Sequence, residues 1–90
     1  MKQLYANRMI REKGTKHFIH LKYYKTSNIC SHYGIEIIKK DGMCIEKNCI
    51  KNITKDKDSI YELIDTLCKN LVTPISLREV IEEIVAKQEA

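Results

Sequence analysis

Near residue 54 the hydrophobic repeat of this chain changes period, and that change constrains the fold more than any other feature. Before it, Ile19, Leu21 and Tyr23 alternate with His20, Lys22 and Tyr24, and Tyr33, Ile35 and Ile37 alternate with Gly34 and Glu36. A repeat of two sends successive side chains to opposite faces of a strand, and these residue types favour strands. After it, Ile60, Leu63, Ile64, Leu67, Cys68 and Leu71 recur at helical intervals and form one apolar stripe. Leu77, Val80, Ile81, Ile84 and Val85 form a second. Strands followed by helices, rather than alternating with them, predict an α+β domain.

Turn signals divide the first half. Lys40-Asp41-Gly42 suits a hairpin, with Met43 to Ile53 as the returning strand. Ile45 and Ile50 have opposite parity there, which predicts a bulge near Lys47-Asn48. Glu12-Lys13-Gly14 is a second turn, making Leu4 to Arg11 the first strand, and Thr26-Ser27-Asn28 separates the second strand from the third. The expected sheet is an antiparallel four-strand meander over about residues 4–53. Two helices follow, at about 57–70 and 77–88, packed as a hairpin on one sheet face. Asp56 or Asp58 can accept the free N–H groups of the first, and Ser76 with Glu79 reads as a capping box for the second. Pro74 keeps the two from merging, and Glu83 to Lys87 is a favourable i,i+4 pair. Leu63, Leu67, Val80, Ile81 and Ile84 are the expected core contacts of the helices.

Ninety residues hold a single domain, 1–90, and at 43% hydrophobic the chain is too apolar to remain disordered. No apolar run is long enough for a membrane span or a secretory signal, so a cytoplasmic location is expected. Charge is uneven. Residues 1–57 carry thirteen Lys/Arg and five Asp/Glu, whereas residues 58–90 carry three and seven, within a total of +4. A basic sheet half suits an acidic protein or a nucleic acid, although lysines also serve simply to keep sheet edges apart.

The four cysteines, Cys30, Cys44, Cys49 and Cys68, fit neither a disulfide framework in a reducing compartment nor a zinc knuckle. Cys30, His32, Cys44 and Cys49 are the only conceivable metal set, and Cys44 and Cys49 point to opposite faces of a regular strand. Cys68 belongs to the helix stripe. The expectation is free thiols, no metal and no cofactor. Catalysis has equally little support. Asp65, Glu79, Glu82 and Glu83 read as a solvated helix exterior, His17 and His20 fall on opposite faces, and no nucleophile, phosphate-loop or metalloprotease motif occurs.

Several segments carry a family resemblance. Tyr23-Tyr24-Lys25-Thr26-Ser27, Tyr33-Gly34-Ile35-Glu36-Ile37, Asn52-Ile53-Thr54 and the run from Val72 to Glu83 resemble, in order and spacing, a family of short uncharacterised clostridial proteins filed as a domain of unknown function. The similarity extends from about Ile10 to Val85, and the cysteines stand outside its pattern. It implies a bacterial, clostridial cytoplasmic protein and brings no activity, substrate or site.

If the helices cover the face of Leu21 and Tyr23, the other face presents Phe18, His20, Lys22, Tyr24, His32, Glu36 and Ile38. Apolar anchors among cations suit a protein interface, and aromatic rings among cations also suit unpaired bases. The sequence therefore points to a small non-catalytic regulatory or protein-interaction module, with self-association as one form of it. Its partner-binding residues would be Phe18, His20, Lys22, Tyr24, His32 and Ile38. Nucleic-acid binding by the same basic sheet is the alternative.

Overall fold

The computed structural model describes residues 1–11, 14 and 17–89, with side chains up to residue 86. Four strands, β1 (Lys2–Arg11), β2 (Phe18–Ser27), β3 (Tyr33–Asp41) and β4 (Cys44–Thr54), precede two helices, α1 (Lys57–Lys69) and α2 (Leu77–Glu89). The sheet order is β1-β2-β3-β4 with every neighbouring pair antiparallel, so the meander expected from the alternation is present. The expected turn at Glu12-Lys13-Gly14 lies outside the described residues except for Gly14, and so does the Glu83–Lys87 pairing. Gly42, at a φ of 62°, closes the β3–β4 hairpin in a conformation that glycine adopts without steric cost.

The helices cover the face formed by Leu21 and Tyr23 of β2 and Ile35 and Ile37 of β3. These four side chains are fully buried against Ile60, Ile64 and Leu67 of α1, with Leu77 and Ile81 of α2 completing the core. α1 crosses all four strands, whereas α2 lies over β4. That offset leaves Val80 and Ile84 half-buried at the margin, outside the full core positions expected of them.

α1 starts at Asp56, whose carboxylate accepts from the backbone N–H of Asp58 and the hydroxyl of Ser59. The Ser59 hydrogen bond holds the Asp56 carboxyl below the usual carboxylate range. The helix ends two residues before its stripe does. Leu71 adopts a φ of 52°, and Leu71 and Val72 donate their N–H groups to the carbonyls of Cys68 and Leu67 in a Schellman-type closure. Leu71, expected on the helix, therefore sits beyond it, and Val72 enters the core instead. Thr73 to Ser76 form a tight turn around buried Pro74, and the Ser76 carbonyl accepts the first hydrogen bond of α2 from Val80.

Two irregularities shape the sheet. In β1 the register shifts between Leu4 and Ala6, leaving Tyr5 unpaired, with its ring 6.0 Å from that of Tyr61 on α1. In β4 the pairing is regular from Cys44 to Ile50, and the shift falls between Ile50 and Thr54, where Asn52 takes a φ of 58°. The bulge expected near Lys47-Asn48 is thus displaced towards the end of the strand. Ile45 and Ile50 differ in parity because they occupy opposite faces of an unbroken strand.

Candidate functional site

β2 and β3 project alternate side chains away from the helices, and no element covers that side among the described residues. Opposite Leu21 and Tyr23 in the alternation stand Phe18, His20, Lys22 and Tyr24, and the register sets Lys22 across from Ile38 and Tyr24 across from Glu36. Five of the six candidate binding residues therefore share this face. His32 lies beyond the strands, in the Asn28–His32 connection, where it lines a cleft of about 410 Å³ with Met1, Lys2, Thr26 and Lys51.

Both edge strands extend the surface. On β1, Leu4 pairs with Tyr24, Asn7 with Lys22 and Met9 with His20, and on β4, Ile45 pairs with Lys40 and Lys47 with Ile38. Leu4, Met9, Phe18 and Ile45 are 51, 62, 42 and 62% exposed, and together with the partly covered Tyr24 and Ile38 they form a broken apolar band. Sequence reasoning missed Leu4, Met9, Ile45 and Lys47. The Tyr5 bulge hides the parity of Leu4 and Met9. The parity of Ile45 was a usable signal, read as a break in the strand rather than as a second face.

The same surface is strongly basic. Lys2, Arg11, Lys22, Lys40 and Lys47 project from it with, among the described residues, a single acid, Glu36. Glu36 is engaged, its carboxylate 3.1 Å from the Lys2 ammonium, which also sits 4.6 Å from the centroid of the Tyr24 ring. Lys22, Lys40 and Lys47 have no acidic partner among the described residues. The outer side of the helices has the opposite sign, with Asp58, Glu62, Glu79, Glu82 and Glu83 all exposed.

Other clusters are structural. Lys25 lies on the helix side, 5.2 Å from the Tyr33 ring centroid and 4.8 Å from that of Tyr61, and donates a 3.1 Å hydrogen bond to the Tyr61 hydroxyl. That hydrogen bond lowers the Tyr61 pKa and ties α1 to the sheet. Asp65 pairs with Lys69 at 2.9 Å along α1 and accepts from Tyr5, so its carboxyl is lowered chiefly by the lysine. His17 hydrogen-bonds Asp41 near the β3–β4 hairpin, away from the open-face His20. Cys30 precedes β3 and Cys44 follows it, about 25 Å apart for a strand of this length, so they cannot share a metal ion. Cys49 projects from the open face opposite Glu36, and Cys68 is buried.

No helix is long and apolar enough to cross a membrane among the described residues. Neither a curated protein nor a solved structure matches the chain. The model of a family of unknown function (DUF6514) matches residues 1–87, nearly the whole chain, and the protein belongs to that family.

Proposed function

We propose that the protein is a small non-catalytic binding module that joins a protein partner, in a regulatory role, through the uncovered face of its sheet. One observation carries the reading: Leu4, Met9, Phe18 and Ile45 stand in solvent on one side of a sheet whose other side carries the core beneath the helices. Removing such side chains from water contributes about 25 cal/mol per Å², and apolar groups ringed by charge are a common mark of an interface. The acids that could serve catalysis are dispersed, Asp65 neutralised by Lys69 and the others along the helix exterior. We place the module in the cytoplasm of a bacterium, on its resemblance to short clostridial proteins.

The test is capture from native lysate with the wild type, with a Met9→Ser, Phe18→Ser double variant and with Glu82→Gln on the helix exterior as control. A stoichiometric protein held by the wild type and the control, but lost by the double variant, is the expected result. Loss of the captured material on nuclease treatment supports nucleic-acid binding instead, and equal capture by all three proteins removes the open face from consideration.

A further inference from the structure

We infer that the occupant of the open sheet face is an acidic amphipathic segment of a partner protein, a helix or extended stretch bearing large apolar side chains flanked by Asp or Glu. This rests on the protein-binding reading above and adds the chemistry of the partner.

Charge comes first. Lys22 and Lys47 flank Ile38 in one row across the sheet, and Lys40 lies between His20 and Ile45 in the next. Among the described residues none of these lysines is matched by an acid, and Glu36, the acid described on the face, is already held by Lys2. An apolar side chain seated on Ile38 would therefore bring its flanking residues within reach of an ammonium on either side. Carboxylates at those positions gain attraction and orientation, whereas lysines there would be repelled.

The apolar chemistry narrows the choice further. The most exposed groups, Leu4, Met9 and Ile45, are aliphatic or thioether side chains, which offer no flat ring on which a base can stack. Of the three flat rings on the face, Phe18, His20 and Tyr24, the last already has the Lys2 ammonium lying against it. Aliphatic and methionine contacts suit the apolar stripe of a peptide.

Charge argues against a second copy face to face, because such a pair would oppose the lysines of one copy to those of the other. Four strands spaced about 4.8 Å apart and some 30 Å long give a footprint of roughly 500 Å². A single helix, about 10–12 Å wide, fits the same area lengthwise.

The experiment is selection from a random peptide display library on the immobilised full-length protein, followed by affinity measurement on synthetic winners. Winners with net negative charge and two or more large apolar residues are expected. Their affinity should fall about tenfold for Lys22→Glu and for Lys47→Glu, less for Lys22→Gln, and more than tenfold for Phe18→Ser, with unchanged thermal melting of each variant. Neutral or basic winners that still require Phe18 overturn the acidic partner and leave the face as a binding site. Winners indifferent to Phe18, Lys22 and Lys47 overturn both. A poly-dT strand is measured in parallel: tighter binding of it than of any winner, with a steep salt slope, overturns the inference in favour of nucleic acid.

Discussion

The hydroxyl of Tyr23 donates a 2.9 Å hydrogen bond to the carbonyl oxygen of Val72, tying the middle of the sheet to the loop between the helices. Tyr23 is fully buried, and Val72 follows immediately on the closure of α1. One side chain thus fills the core and also satisfies a buried carbonyl in the loop just beyond the helix. Tyr23→Phe keeps the ring and orphans the carbonyl, so it should cost about 1–3 kcal/mol in urea denaturation.

Burial pushes the Tyr23 phenol up from 10.0 to about 12. The fold therefore favours the protonated form. Its contribution is whole below about pH 10, where the unfolded phenol is also protonated, and is lost as pH rises towards about 12. Wild type and Tyr23→Phe should differ most near neutral pH and converge in alkaline solution. A stability gap that stays constant from pH 8 to 11 would show that the phenol titrates alike in both states.

Gly34 is required by a close backbone approach. A Cβ built there would lie 2.4 Å from the carbonyl oxygen of Ile50, 3.0 Å from the Cα of Lys51 and 2.7 Å from the Thr26 hydroxyl oxygen. The β4 bulge folds its backbone onto β3 at this point, and Asn52, in the left-handed region, turns it back. Gly34→Ala should cost about 1–3 kcal/mol. The outer end of β4 should loosen first, read as faster amide exchange at Lys51–Thr54 than at Ile45–Ile50.

How far the fold was legible follows from these residues. Leu21, Tyr23, Ile35 and Ile37 declare their face by alternation alone, and Ile60 to Cys68 declare theirs by helical spacing, because each element has one buried side. Gly34 and Asn52 carry no periodic signal, since a bulge depends on how two backbones meet. The exit of Leu71 from the helix was hidden for a related reason: it satisfies the stripe arithmetic, but Val72 takes the buried position. On the open face, His20, Lys22 and Tyr24 followed from their neighbours on β2. The contributions of β1 and β4 needed the register itself.

The helix layer makes a graded prediction. Leu67 is fully buried and Ile81 nearly so, whereas Val80 and Ile84 lie at the margin. Leu67→Ala and Ile81→Ala should each cost about 2–5 kcal/mol, from lost transfer free energy plus an unfilled cavity. Val80→Ala should cost less than about 1.5 kcal/mol, because solvent and neighbouring chains can fill the space. Equal losses at Val80 and Leu67 would mean that α2 packs more deeply than its position over β4 allows.

The β2–β3 connection offers two changes of opposite sign. The Asn28 side-chain oxygen accepts from the N–H groups of Cys30 and His32, both at 3.0 Å, and its amide donates to the Asn52 side chain at 2.8 Å. Asn28→Ala removes all three bonds and should destabilise by about 1 kcal/mol. Ser31 occupies the left-handed region, with a φ of 62°, and its side chain is exposed. Ser31→Gly relieves the clash of its Cβ and should stabilise by about 0.5 kcal/mol, a net figure after the greater chain entropy of glycine in the unfolded state. Thermal melting of both variants reads the signs directly, and a destabilising Ser31→Gly would show that the serine side chain supports the turn.

Thiol reactivity distinguishes the four cysteines by position. Cys30, Cys44 and Cys49 are exposed, on the β2–β3 connection, beside the hairpin and on the open face, whereas Cys68 is buried on the inner side of α1. A charged disulfide reagent reaches a thiol only where solvent does, so three equivalents should react rapidly in native protein and the fourth only at the rate of global unfolding. Cys49 reports on the proposed interface as well. It lies across from Glu36 on the binding side of the sheet, so an acidic peptide seated there should slow its labelling and leave Cys30 and Cys44 unaffected. Uniform protection of all three would place the peptide elsewhere or attribute the effect to charge alone. Rapid reaction of Cys68 would mean that α1 detaches from the sheet without global unfolding, and the Tyr23→Phe variant, lacking the tie to Val72, is where that opening should first become measurable.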